Sequence, residues 1–162
     1  MPDLVAWRID KRKWRDASFS GAGAAAAGGR WNSANVPVVY VSASLAMATL
    51  EKYVHLPKPV PARMELVRFR LRFDIALVER VDPANLAPDW REAPAPRSTA
   101  AIGDQWVSSA RSAVLAIPSA LIPEETNYLL NPAHPDFRKI EIEAPEVFTI
   151  DYRIARLVEP TG

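Results

Sequence analysis

The segment ELVRFRLRF, residues 65–73, alternates apolar and charged side chains and constrains the fold more than any other stretch of the chain. Alternation with a period of two is typical of a β-strand, because successive side chains point to opposite faces. One face would carry Val67, Phe69, Leu71 and Phe73, and the other would carry Arg68, Arg70 and Arg72. The pattern predicts a strand with one face in the core and the other in solvent or against a partner.

The rest of the chain mixes strand and helix patterns without a repeating strand–helix–strand unit. Further strands are predicted at 4–9, 36–42 and 113–117, and in the tail segments KIEI, VFTI and IARLV. Helices are predicted at 45–55, with Ser42 or Ser44 as N-cap and an end before Pro57, and at 98–112, with Trp106 facing inward. The connections are a solvated turn or helix start at 10–16, a long surface connection at 82–97 and a defined irregular segment at 117–137. This order favours an α+β fold: a single compact domain over residues 1–162, with mixed sheets flanked by helices.

The composition excludes several kinds of chemistry. The 162 residues include no Cys and two His, so disulfides, thiolate nucleophiles and Cys- or His-rich metal sites are ruled out, and we expect no metal. Lys and Arg number 20 against 19 Asp and Glu, a balance that argues against nucleic acid or an anionic membrane as partner. The N-terminus lacks the apolar core of a signal peptide and no apolar run could cross a bilayer, so we expect a cytoplasmic protein.

A glycine-rich stretch, GAGAAAAGG at 21–29, holds four of the six glycines in the chain. Such clustering is typical of backbone that needs positive φ or a close approach, which favours a shaped loop over a disordered linker. Arg30 follows directly, and its guanidinium could make two parallel bonds to a phosphate or carboxylate while backbone amides approach the same anion. The alternative is an Arg that forms a salt bridge at a turn. The sequence around it matches neither a Walker A motif nor a Rossmann fingerprint.

Other side chains are candidates for a ligand site, each with a structural alternative. Glu51 on the predicted helix either lies at a pocket, where a carboxylate binds sugar hydroxyls or stabilises a developing cation, or is a solvated surface residue. Tyr40 and Tyr53 either stack around a flat ring or are core residues, and the same two interpretations apply to His55. Ser119 ends a predicted strand and could hydrogen-bond a ligand, although no Gly-x-Ser-x-Gly elbow surrounds it.

Four segments, in order along the chain, resemble one family. FSGAGAAAAGGRWN, VVYVSASLAMATLE, GDQW and PSALIPEETNYLLNPAHPDF are similar to motifs of the RES-domain family, which is named for a recurring Arg, Glu and Ser. These three residues map to Arg30, Glu51 and Ser119, and the recognisable motifs lie between about residues 7 and 137. The resemblance implies an ADP-ribosyltransferase-like fold and a toxin of a bacterial type II toxin–antitoxin module, with an Xre-type antitoxin as partner.

The same resemblance implies NAD+ as substrate and a role for each site residue. Arg30 would hold the pyrophosphate or the adjacent ribose. Glu51 would hydrogen-bond the nicotinamide ribose and stabilise its oxocarbenium-like transition state, and Tyr40 and Tyr53 would clamp the nicotinamide ring. The same pocket would also be lined by Ser42, Ser119 and Asn127.

Three functions are compatible with these interpretations. The leading prediction is a toxin that cleaves the nicotinamide–ribose bond of NAD+, by hydrolysis or phosphorolysis, and so depletes NAD+. The first alternative is a mono-ADP-ribosyltransferase that transfers ADP-ribose to a host protein. The second alternative is a non-enzymatic module whose Arg68, Arg70 and Arg72 face binds RNA or a partner protein, and the near-neutral charge disfavours RNA.

Overall fold

The alternating segment forms strand β3, Leu66–Asp74, in the computed structural model, which describes residues 3–61 and 64–156. Its four predicted inward side chains are buried, at 4% exposure or less. β3 pairs antiparallel with β1, Asp3–Lys11, over nine residue pairs. Each outward arginine forms an ion pair of 2.7 Å with a glutamate of the segment 141–146: Arg68 with Glu146, Arg70 with Glu143, and Arg72 with Glu141. The strand is therefore as predicted, and its outer face is charge-balanced.

The described residues form one sheet of eight strands. The other six strands are β2, Val39–Ser42; β4, Val78–Arg80; β5, Val114–Pro118; β6, Thr126–Leu130; β7, Glu141–Ile142; and β8, Glu146–Phe148. Their order is β4–β5–β6–β2–β1–β3–β7, and β8 pairs with β3 beside β7. β4 and β5 are parallel, and the other paired strands are antiparallel.

Four α-helices accompany the sheet in the described ranges: α1, Ala22–Ala27; α2, Leu45–His55; α3, Arg97–Ser109; and α4, Tyr152–Arg156. α2 has the predicted bounds, and of the two proposed caps it is Ser44 whose side chain accepts the amide of Met47. α3 ends three residues before the predicted limit, because Ala110 takes a left-handed conformation with φ 51°. Trp106 is buried as predicted, and its indole N–H donates to Ser112 beyond the helix end, at 2.8 Å. The mixture of helices with a largely antiparallel sheet confirms the α+β prediction.

The structure corrects four local predictions. The glycine-rich stretch is not one continuous loop, because it contains α1. The expected positive φ is confirmed at Gly21 and Gly28, which flank α1 at φ 78° and 77°. Part of the segment 117–137 forms β6. Its residues are buried on both faces, so the sequence lacks the alternation of apolar and polar side chains that would predict a strand. The tail segment IARLV is not a strand: residues up to 156 belong to α4, and its last two lie outside the described residues. At 10–16 only the start is corrected: β1 continues to Lys11, and the expected solvated turn or helix start follows as an exposed 3-10 helix, Arg12–Ala17.

Strands β5 and β6 are covered on both faces of the sheet by hydrophobic clusters. Because side chains alternate along a strand, Val114, Ala116, Tyr128 and Leu130 lie on one face and Leu115, Ile117 and Leu129 on the other. The second face packs against Trp31 and against Trp106 of α3. None of the helices in the described part of the chain is long and apolar enough to cross a membrane.

Candidate active site

Glu51 and three other polar side chains form one hydrogen-bonded cluster. Its Oε1 atom accepts hydrogen bonds from Ser119 Oγ at 2.7 Å and from Asn127 Nδ2 at 2.8 Å. Asn127 Oδ1 in turn accepts a bond from Ser42 Oγ at 2.7 Å. Ser42 and Asn127 are direct partners in the antiparallel pairing of β2 with β6, so the sheet register brings them together. The structure thus joins four of the predicted site residues, which come from α2, β2, β6 and the end of β5.

The second oxygen of Glu51 is left available. Among the described residues no group hydrogen-bonds Oε2, and no buried side-chain atom of a described residue lacks a partner, so Oε2 reaches solvent. Ser119 and Asn127, which hold Oε1, are buried at 0% and 9% exposure. A carboxylate fixed by one oxygen, with the other open, is suited to accept a hydrogen bond from a ligand hydroxyl or to face a developing positive charge.

Tyr40 of β2 supports the Arg30 loop, residues 28–38 between α1 and β2. Its hydroxyl donates to Asn32 Oδ1 at 2.6 Å and accepts the amide N–H of Trp31 at 3.1 Å. A Cβ atom at Gly29 would lie 2.7 Å from that hydroxyl, so only glycine allows the loop to pass this close. Burial raises the pKa of Tyr40 to about 12, and the charge of Arg30 acts in the opposite direction. The neutral phenol is therefore a structural support of the loop through the ordinary pH range.

The Arg30 guanidinium is oriented by backbone carbonyls. Its Nη1 donates to the carbonyl oxygens of Trp90 at 2.8 Å and Glu92 at 2.9 Å. Neither Nε nor Nη2 has a hydrogen-bond partner within residues 3–61 and 64–156. These two nitrogens form the edge that binds a carboxylate or phosphate with two parallel bonds. Arg30 therefore presents an anion-binding edge whose direction is set by the chain itself.

Helix α3 holds the Arg30 loop from behind, and this explains the GDQW segment. Thr99 Oγ1 donates to the carbonyl oxygen of Arg30 at 2.6 Å. A Cβ atom at Gly103 would lie 1.6 Å from the carbonyl oxygen of Trp31, so the helix and the loop are in backbone contact there. Asp104 accepts the amide N–H of Ser33 at 2.8 Å. Thr99 was missed by the sequence reasoning, and its contact is long-range, so no local pattern indicates it.

The two parts of the site are joined by β2. Tyr40 and Ser42 lie two residues apart on the same face of that strand, a spacing of about 7 Å. Arg30 lies at the Tyr40 end and Glu51 at the Ser42 end, with no hydrogen bond or ion pair between Arg30 and Glu51 in the described ranges. The site is therefore an elongated strip along one face of the sheet, with an anion-binding edge at one end and a carboxylate at the other.

Tyr53 does not join this strip, which corrects the expected pairing of Tyr40 and Tyr53 around one ring. Its side chain is 2% exposed and its hydroxyl donates to the carbonyl oxygen of Ala155 at 2.8 Å. Tyr53 follows Glu51 by two residues, which is a rotation of about 200° on a helix, so the two side chains face opposite directions. Tyr53 is a core residue. His55, at the end of α2, is exposed and outside the cluster.

A partly buried ionic network centred on Asp10, which no sequence pattern indicated, lies behind β2. Arg8 donates to the carbonyl oxygen of Tyr40 at 3.0 Å and to Asp10 at 3.3 Å, and Lys52 lies 3.7 Å from Asp10. β1 and β2 share a single residue pair, Trp7 with Ser42, so the Arg8 guanidinium extends their contact beyond it. Burial lowers the pKa of both Arg8 and Lys52, and the charge of Asp10 opposes this.

Comparisons with known proteins agree with this fold. The family model described as the RES domain matches residues 5–153. The chain is 41% identical over 154 residues to a protein of Sphingobium sp. (strain YBL2) named "Prs ADP-ribosylating toxin", covering 93% of this chain and 96% of that one. It is 36% identical over 154 residues to "Toxin Res" of Pseudomonas putida and 32% identical over 152 residues to "Toxin Res" of Yersinia enterocolitica, each covering 93% of this chain and 99% of the relative.

A solved structure shows the same fold. The match is to a chain of the crystal structure of the M. tuberculosis MbcT–MbcA toxin–antitoxin complex, with a TM-score of 0.76, 17% identity, and coverage of 91% of this chain and 85% of that chain. The fold, together with Arg30, Glu51 and Ser119 in their motifs, is that of a RES-type domain. The chain belongs to the RES domain family, as the sequence motifs implied.

Proposed function

We propose that this protein is the toxin of a toxin–antitoxin pair and that it binds NAD+ and breaks its nicotinamide–ribose bond. The observation that carries the proposal is the Glu51 carboxylate, held through Oε1 by Ser119 and Asn127 while Oε2 stays open. Support also comes from the 41% identical relative, whose name describes an ADP-ribosylating toxin. ADP-ribosylation consumes NAD+ and begins with cleavage of this bond.

The chemistry needs little from the protein beyond charge and position. Nicotinamide is bound to C1′ of the ribose as a cation, so the C1′–N bond breaks with its electron pair going to nicotinamide, which leaves neutral. Positive charge then develops on the ribose ring, and a nearby carboxylate stabilises it, as in glycoside cleavage. Oε2 of Glu51 accepts a hydrogen bond from a ribose hydroxyl and faces that positive charge. The Nε and Nη2 atoms of Arg30 donate hydrogen bonds to the pyrophosphate. Water, phosphate or a protein nucleophile then attacks C1′.

The test is nicotinamide release from NAD+ by the purified protein, with Glu51→Gln as the isosteric variant that removes the negative charge. We expect release by the wild type and a loss of about a hundredfold or more in kcat for Glu51→Gln. The matched control is Glu79→Gln, because Glu79 pairs with Arg111 at the surface and lies outside the site. If wild type and Glu51→Gln leave NAD+ equally intact, with and without phosphate or host lysate, the proposal is wrong.

A second candidate differs in the acceptor: transfer of ADP-ribose to a host protein. The observation that favours it is again the name of the 41% identical relative, an ADP-ribosylating toxin. NAD+ labelled in its ADP-ribose part, incubated with protein and lysate, separates the two functions. A transferase leaves the label on a discrete protein band in a Glu51-dependent manner, whereas a hydrolase or phosphorylase leaves it in small molecules.

The proposed partner is an antitoxin of the Xre type, supported at the level of an antitoxin by the similar fold in a toxin–antitoxin complex. Cytoplasmic location remains a prediction. The alternative of an RNA-binding face receives no support from the structure, because Arg68, Arg70 and Arg72 are each paired with a glutamate.

A further inference from the structure

The proline-rich connection before α3 is fastened to the candidate site at two points. Its residues 90–92, the bridge segment, lie beside Arg30: the carbonyl oxygens of Trp90 and Glu92 both accept bonds from Arg30 Nη1. The Trp90 ring packs against Trp31, with 6.2 Å between ring centroids. The bridge segment therefore fixes the orientation of the Arg30 guanidinium, because it holds Nη1 and leaves Nε and Nη2 to a ligand.

Arg91, in the middle of the bridge segment, reaches the other end of the site. Its Nε donates to the carbonyl oxygen of Ala120 at 2.9 Å, and its Nη2 lies 3.4 Å from that of Leu121. These two residues directly follow Ser119, whose Oγ accepts the amide N–H of Leu121 at 3.1 Å. Contacts therefore run from Arg30 through the bridge segment to the Ser119 turn, residues 119–122, and from Ser119 to Glu51.

We propose that Arg91 is a positioning residue of this site: it ties the bridge segment to the Ser119 turn and so fixes the distance and orientation between Arg30 and Glu51. No hydrogen bond or ion pair joins Arg30 to Glu51, so their relative geometry depends on such intermediate ties. Arg91 is itself exposed, and its guanidinium bonds backbone carbonyls of the two parts, so it is placed to align them. Its kinetic effect rests on the proposed NAD+ function, whereas its effect on backbone mobility does not.

The experiment compares Arg91→Gln, Arg91→Lys and the control Arg111→Gln, an exposed arginine paired with Glu79 outside the site. For Arg91→Gln we expect the KM for NAD+ to rise about tenfold with a smaller change in kcat, because Arg30 binds ground state and transition state alike. Arg91→Lys, which can still donate to a carbonyl, recovers part of the loss. Hydrogen exchange at the Leu121 and Ile122 amides becomes faster in Arg91→Gln, while the melting temperature stays close to that of Arg111→Gln.

The two readouts separate this inference from the proposed function. If the wild type cleaves NAD+ and Arg91→Gln matches Arg111→Gln in KM and in amide exchange, Arg91 has no positioning role and the proposed function stands. If the wild type releases no nicotinamide, the proposed function fails and amide exchange decides alone. Faster exchange at Leu121 and Ile122 then still supports the tie, and unchanged exchange overturns it.

Discussion

Ser119 Oγ donates a hydrogen bond of 2.7 Å to Glu51 Oε1, and 68 residues separate the two along the chain. The same Oγ accepts the amide N–H groups of Leu121 and Ile122, at 3.1 and 3.3 Å. A hydroxyl has a single proton to donate, so these contacts direct it at the carboxylate. Glu51 is therefore held in place by the folded chain itself before any ligand binds.

Ser119→Ala is expected to lower kcat for NAD+ cleavage about tenfold to a hundredfold, because the carboxylate loses one of the two groups that orient it. The melting temperature changes by only a few degrees, since the freed amides of Leu121 and Ile122 lie near the surface and can bond water. Steady-state kinetics and thermal unfolding measure both effects. Ser108→Ala, on the exposed side of α3, is the control. An unchanged kcat in Ser119→Ala would show that Asn127 alone positions Glu51.

The sequence predicted the parts of the fold whose signals are local. β3 and α2 were predicted closely, because alternation and an N-cap serine are encoded in consecutive residues. β6 was missed because it is buried on both faces and lacks alternation, and flanking prolines suggested an irregular segment. α1 was missed because its alanines favour a helix whereas the glycines around them favour a loop, so the composition is compatible with either.

The candidate site divides in the same way. Arg30, Glu51 and Ser119 were identifiable from motifs, but their alignment depends on the register of β2 with β6 and on α3, which are long-range features. Tyr53 was wrongly placed in the site. Because apolar residues lie on more than one face of α2, the sequence does not determine which face of the helix packs against the core. No local pattern identified Arg91, since its partners are backbone carbonyls, which any sequence provides.

Gly103→Ala is expected to destabilise the fold by at least about 2–3 kcal/mol, because the new Cβ would overlap the carbonyl oxygen of Trp31 in a tightly packed contact. The control is Gly23→Ala in α1, where a Cβ meets no atom within 4 Å. Gly23→Ala is expected to stabilise by about 0.5–1 kcal/mol, since alanine favours helix over glycine. Urea denaturation measures both. Equal effects of the two substitutions would mean that α3 and the Arg30 loop separate more easily than the structure indicates.

Asp10→Asn is expected to cost about 1–3 kcal/mol of unfolding free energy, because it leaves two partly buried cations, Arg8 and Lys52, without their counter-charge. Lys52→Met is expected to change stability by less than about 1 kcal/mol, because burial and the neighbouring Arg8 already lower the pKa of Lys52. The double variant is therefore less destabilised than the sum of the two single variants. Denaturant titration of all three checks this coupling, and strict additivity would show that Lys52 and Asp10 do not interact.

Tyr40→Phe tests the support of the Arg30 loop through its pH dependence. At pH 7 we expect a loss of about 1–3 kcal/mol of unfolding free energy, because the amide of Trp31 and the side chain of Asn32 lose their partner.

Below about pH 10 the Tyr40 phenol is neutral in both the folded and the unfolded state, so the stability difference, or gap, between wild type and variant is constant. Burial raises the pKa of Tyr40 to about 12 in the folded chain. Between about pH 10 and 12 the unfolded chain therefore loses the proton first, and wild-type stability falls toward that of the variant, by about 2–3 kcal/mol at most. Urea denaturation from pH 7 to 11 measures the gap, with Tyr152→Phe, 66% exposed, as control. A gap that stays constant through pH 11 would mean that the Tyr40 hydroxyl titrates as it does in water.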